Sequence, residues 1–148
     1  SEALSSLTVD NIIINGTNIG HTSDTDAISI ASSGVTTFSA AVVGATDTDT
    51  SNTGSVTLDF AANQNFVLTF TGNVTLANPS TEAVGQSGII VCIQDGTGSR
   101  TLSLGTDYET AGGAGITLST AASSVDVIPY FVKASGSIQL GAVQKAFS

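Results

Sequence analysis

The residues that could do chemistry in this 148-residue chain are few and scattered. His21 is the single histidine, so a zinc site with two His ligands is excluded. Nucleophilic catalysis needs a base held in a pocket, whereas His21 follows Gly20 in a run of small residues that reads as a turn. A surface position, or packing on a symmetry axis, suits it better. Asp24-Thr25-Asp26 and Asp47-Thr48-Asp49 share the Asp-x-Asp spacing of calcium loops. A calcium loop also takes further oxygen ligands at set positions and usually a Glu; neither stretch has one, and both read as solvated loops. Asp107 and Glu109 flank Tyr108 near a Gly-rich stretch, but glycoside hydrolysis needs two carboxylates facing across a cleft, one with a raised pKa. Asp95-Gly96-Thr97-Gly98 lacks the Lys and the following helix of a phosphate loop, and reads as a turn. Asn15-Gly16-Thr17 and Asn73-Val74-Thr75 match the glycosylation acceptor pattern, yet both asparagines suit turns. Cys92, alone within Ile89-Ile90-Val91-Cys92-Ile93, reads as a small buried hydrophobe. No catalytic residue, cofactor ligand or metal ligand is assigned, no cofactor is expected, and the chain does not read as an enzyme.

Composition points towards assembly. Hydrophobic residues make up 41%, but there is no Trp or Met, with six Phe, two Tyr and 16 Gly. Small apolar side chains bury little area each, at about 25 cal/mol per Å², so sharing a core with further copies is the economical solution. Twelve acidic residues against three basic ones (Arg100, Lys133, Lys145) give a net charge of −9. Nucleic-acid binding needs Lys and Arg to displace counterions from phosphate, so nucleic acid and anionic membranes are not expected partners. Ser1-Glu2-Ala3-Leu4 shows neither a basic region nor a long apolar run, so neither a signal peptide nor a membrane helix is expected. Ser1 in a chain without Met fits a complete short protein whose initiator was removed.

The elements that must position these residues are strands. Gly, Ser and Thr interrupt every candidate helix. Over residues 1–45, Leu7-Thr8-Val9, Ile12-Ile13-Ile14, Asn18-Ile19-Gly20, Ala27-Ile28-Ser29-Ile30 and Gly34 to Phe38 are short strands, with Asn15-Gly16 a favoured hairpin turn. Each is too short to bury its own apolar face, so a β-prism or triple β-helix wound from three copies is expected. Residues 46–54 carry almost no apolar side chain and read as a linker or exposed loop. Residues 55–148 alternate apolar and polar, predicting a β-sandwich or jelly-roll-like domain. Within it, 65–71 and 73–77 read as a hairpin about Thr71-Gly72-Asn73, and 87–94, apolar on both faces, as a central strand. Further strands are expected from Arg100 to Leu104, Ile116 to Ser119, Ser124 to Lys133 and Ser137 to Val143. Ala134-Ser135-Gly136 turns the last pair, and Pro129 suggests an edge or a bulge. The fold class is all-β: a fibre-like N-terminal segment intertwined in a trimer, then a sandwich.

Leu7-Thr8-Val9-Asp10-Asn11-Ile12-Ile13-Ile14-Asn15-Gly16-Thr17-Asn18-Ile19-Gly20 resembles repeats in fibre and surface proteins of tailed bacteriophages, marine and cyanobacterial ones especially. Phe66-Val67-Leu68-Thr69, Gly85-Gln86-Ser87-Gly88 and Gln94 to Leu102 resemble a C-terminal module of such proteins. The resemblance implies a trimeric component on the outer surface of the virion. Two roles fit. The first is a capsid decoration (cement) protein clamping the major capsid protein, favoured here by the short chain. The alternative is a tail fibre or spike whose outward domain binds a host surface glycan or receptor, with Tyr108 and Tyr130 the aromatic candidates. Leu7, Val9, Ile12, Ile14 and Ile19 are the residues expected to form the trimer or docking interface.

Overall fold

The structure is a computed structural model and describes residues 12–147. Leu7 and Val9 therefore lie outside the described residues. The chain falls into two compact units, one ending at Val43 and one beginning at Gly44. The expected all-β class is the one observed, with curled sheets.

The first unit is an antiparallel meander of β1 (Ile12–Asn15), β2 (Asn18–His21), β3 (Asp24–Ile30) and β4 (Thr36–Phe38) in chain order. Asn15 pairs with Asn18, so the two-residue turn is Gly16-Thr17, one position later than expected. Only Gly16 has positive φ, at 60°, and a glycine in first position is what a type II′ turn asks for.

The second unit is an eight-stranded mixed sheet of β5 (Thr46–Val56), β6 (Asn65–Leu76), β7 (Ser87–Gln94), β8 (Leu102–Leu104), β9 (Tyr108–Glu109), β10 (Val125–Ala134), β11 (Ser137–Leu140) and β12 (Gln144–Phe147). Its order is β5-β6-β7-β10-β11-β9, with β12 beside β10 and β8 beside β6. Alternation along β6, β7 and β10 sends Phe66, Leu68, Phe70, Ile90, Cys92, Ile128, Tyr130 and Val132 to the inner face, where all are buried. Leu58 and Phe60 close the core from the loop between β5 and β6. Phe60 packs tilted by 60° against Phe66, with ring centroids 5.1 Å apart, and edge-on at 5.2 Å from Tyr130.

Several expectations change. Residues 46–54 are not a linker: they lie in β5, which pairs in parallel with β6 from Thr46↔Asn65 to Val56↔Leu76. This strand is held by its backbone ladder; of its side chains only Asn52 is buried. Residues 65–71 and 73–77 are not a hairpin but one continuous strand through Gly72. That glycine serves a close approach, since a Cβ there would collide with Thr53 Oγ1 of β5. β6 pairs with β7 along its first half and with β8 along its second, both in parallel. Ile116 to Ser119 is not a strand; it runs as a loop pinned by Asp126. Pro129 lies in β10, central in the sheet, where Gly141 N–H donates to its carbonyl at 2.8 Å. Its missing N–H therefore faces the side where β10 changes partner from β12 to β11, and no ladder bond is lost.

Candidate functional site

The register of the first unit lines up one apolar row across four strands. Ile14 lies opposite Ile19, Ile19 opposite Ile28, and Ile28 opposite Phe38. Cross-strand neighbours share a face, so these four side chains form a single stripe. Little covers it: Ile14 is 66% exposed and Phe38 51%, while Ile19 and Ile28 are half-buried. Of the residues singled out in the sequence, Ile14 and Ile19 sit in this stripe, and the backbone of Ile12 pairs with His21. Ile28 and Phe38 were not singled out. Their signal was available in the hairpin spacing, which fixes who stands opposite whom.

The candidates for chemistry are dispersed. His21 is exposed at the end of β2, where its Nδ1 accepts from the N–H of Ser23 in the following turn at 3.2 Å and bonds the Ser23 hydroxyl at 2.7 Å. Asp24 and Asp26 lie on β3 and Asp47 and Asp49 on β5; Asp49 accepts from the Ser51 N–H. Among the described residues, no three His, Cys, Asp or Glu side chains gather as a metal site would require. Glu109 borders an open cleft of about 700 Å³ running past Leu104, Tyr108 and the Gly113–Ile116 loop. It accepts from the Ser137 hydroxyl at 2.7 Å and pairs with Lys133 at 3.0 Å, and these bonds hold its carboxyl below the ordinary range. A general acid needs the opposite shift. Tyr108 is 6% exposed and Tyr130 4%, so neither presents a ring face on which a sugar could stack. Burial pushes the Tyr130 hydroxyl up to about 12, and it donates to the Gln64 carbonyl at 2.7 Å.

Turns that read as turns are built as such. Asp95 accepts from the N–H groups of Thr97 and Gly98 and pairs with Arg100 at 2.7 Å. The Arg100 bond, followed by the Gly98 N–H, lowers the Asp95 pKa. Burial, with a lesser contribution from Asp126, pushes the Cys92 thiol up to about 12.

Residues 17–137 match the family model described as "Putative phage tail fibre C-terminal domain". The chain belongs to this tail fibre domain family. The match runs from the β1–β2 turn of the tail fibre domain to the first residue of β11, taking in most of both sheets. No curated protein and no solved structure matches the chain. Membership makes it a structural protein of a bacteriophage and a component of the virion. It also favours the alternative tail fibre role over the capsid decoration expected first.

Proposed function

We propose that the chain is a non-enzymatic, trimeric tail fibre component on the outer surface of the phage particle. The observation that carries this reading is the family match over residues 17–137. The uncovered stripe of Ile14, Ile19, Ile28 and Phe38 supports assembly: a thin sheet with this stripe exposed is completed by further copies or by the next fibre segment. In this reading the first unit joins the fibre, and the loops of the second unit meet the host surface, a glycan or a protein receptor. The net charge of −9 argues against nucleic acid or an anionic membrane as partner.

The test is the position of the protein on intact particles, by cryo-electron microscopy. Density at the tail with threefold symmetry is expected. Many copies spread over the capsid contact points would overturn the fibre reading and restore the decoration role.

A further inference from the structure

The outer face of the second unit's sheet carries an inference beyond the fibre reading. Where the inner positions of β6, β7 and β10 fill the core, the outer positions of β7 and β10 are mostly apolar too, joined by Val67 among the Asn and Thr residues of β6. Val67 lies beside Val91, which lies opposite Val127; Ile93 lies opposite Val125, and Ile89 opposite Pro129. A sheet with one solvated face ordinarily alternates apolar and polar. Here Ile89 is 40% and Phe131 45% exposed, and the valines between them are half-buried. From Thr46 and Thr48 on β5 to Phe131 on β10 the outer positions hold no ionisable side chain. The first is Lys133, at the far end and paired with Glu109.

We infer that this face is a contact between copies of the chain. Charge selects the occupant. With twelve acidic residues against three basic, two copies repel each other over most orientations. A neutral face is where like-charged copies can meet without opposing carboxylates. A basic partner would be drawn to acidic surface and away from this face. Edge pairing is blocked as well: Asp47 and Asp49 stand beside core residues Phe66 and Leu68 on the free strand β5, and its register breaks at Asp49/Asn52 and Asn52/Gly54. Inward charges and bulges are how proteins protect an edge. The long edge is blunted and the face is left open, so association is by packing of faces. With strands about 4.8 Å apart and about 3.3 Å per residue, the face measures roughly 400 Å². A stable contact buries ~800 Å² per partner, so this face supplies about half. The uncovered stripe of the first unit adds further apolar area when whole chains assemble.

The experiment is the mass of the full chain by light scattering and sedimentation, for wild type and for Ile89→Glu/Phe131→Glu. Both positions are exposed enough for a single copy to accept the change. Wild type is expected to be oligomeric at about 10 µM, with the variant's dissociation constant raised at least ~10-fold. A control adding the same charges elsewhere, Ala61→Glu/Val84→Glu, stays within about twofold. Raising NaCl from about 0.1 to about 1 M shortens screening from about 10 to about 3 Å and should leave wild-type association unchanged or tighter. A wild-type monomer at ~100 µM, a folded variant of unchanged mass, or weakening in salt would each overturn the inference. If the glutamate variant loses its cooperative melt, Ile89→Thr/Phe131→Thr keeps strand preference and is read the same way. Tail location with unchanged variant mass defeats only this contact; capsid location with lost association defeats only the fibre reading.

Discussion

Asp126 is the residue on which the closing end of the second unit hangs. It is 1% exposed and accepts the Ser119 N–H at 2.6 Å, the Ser119 hydroxyl at 2.7 Å and the Ala146 N–H at 2.9 Å. One carboxylate thus ties the loop 116–119 and strand β12 to β10. Removing it takes the acceptor from the Ser119 and Ala146 N–H groups, and a buried donor left unsatisfied costs about 1–3 kcal/mol. Asp126→Ala is expected to lower stability by about 2–4 kcal/mol in urea melts, and Asp126→Asn by less. Tyr108 offers the reverse case. Its hydroxyl is buried and finds no partner among the described residues, so Tyr108→Phe should be neutral within about 0.5 kcal/mol, or slightly stabilising. Titration gives a third check. Asp95 is lowered first by Arg100, Glu82 first by the Gly136 N–H, and Glu109 first by the Ser137 hydroxyl. A lowered carboxyl stabilises the fold above its unfolded value, and that contribution is lost as pH falls through the folded value. The urea midpoint should therefore hold from neutral pH down to the ordinary values of 4.5 and 3.8, then fall below them.

At the scale of elements, glycines separate two kinds of turn and strand position. A Cβ on Gly88 would strike the Gln64 carbonyl and lie 3.0 Å from the Tyr130 hydroxyl, the two groups whose hydrogen bond ties β10 to the loop before β6. Gly96, in the turn after β7, has nothing within 4 Å. Gly88→Ala should cost about 3 kcal/mol and Gly96→Ala almost nothing, measured by thermal unfolding of the two side by side. The inner-facing strands were legible in the sequence because Phe66, Leu68 and Phe70, and Ile128, Tyr130 and Val132, alternate with the pleat. β5 was not legible. Its Thr and Asp side chains bury almost nothing, so the strand leaves no apolar period and depends on a ladder that only the fold supplies. Gly72 misled for a related reason: the same residue type serves a turn and a close approach, and sequence alone does not say which. The site was half legible. The isoleucines of the first unit stood out as too short to bury themselves, but the stripe running on to Phe38 emerged only with the register.

For the whole molecule, two uncovered apolar surfaces on an acidic chain make assembly the expected state. Ile14→Asp/Phe38→Asp should leave the main melting transition, that of the second unit, in place while reducing the assembled mass measured by light scattering. Each of these positions is at least half exposed, so the change strikes contacts between copies more than the fold of one copy. Cys92 reports on the same question from inside. With its thiol pushed up to about 12 beneath the sheet, it should resist a thiol reagent at pH 8 and react once urea opens the core.

Strand β6 has three neighbours, and all of them run parallel to it. No tight hairpin can bring any of them into place; each waits on a loop such as 57–64 or 77–86 to close first. The antiparallel pairs β1–β2 and β10–β11, joined by two-residue turns, can form early, within about 1–10 µs. The middle of the sheet comes late, and refolding of the second unit should take milliseconds to seconds. The same dependence runs backwards. With β5 along one side and β7 and β8 along the other, β6 comes free only when both of its edges have opened. For a component of a virion, which spends time outside any cell, a slow clock of unfolding then matters alongside depth of stability.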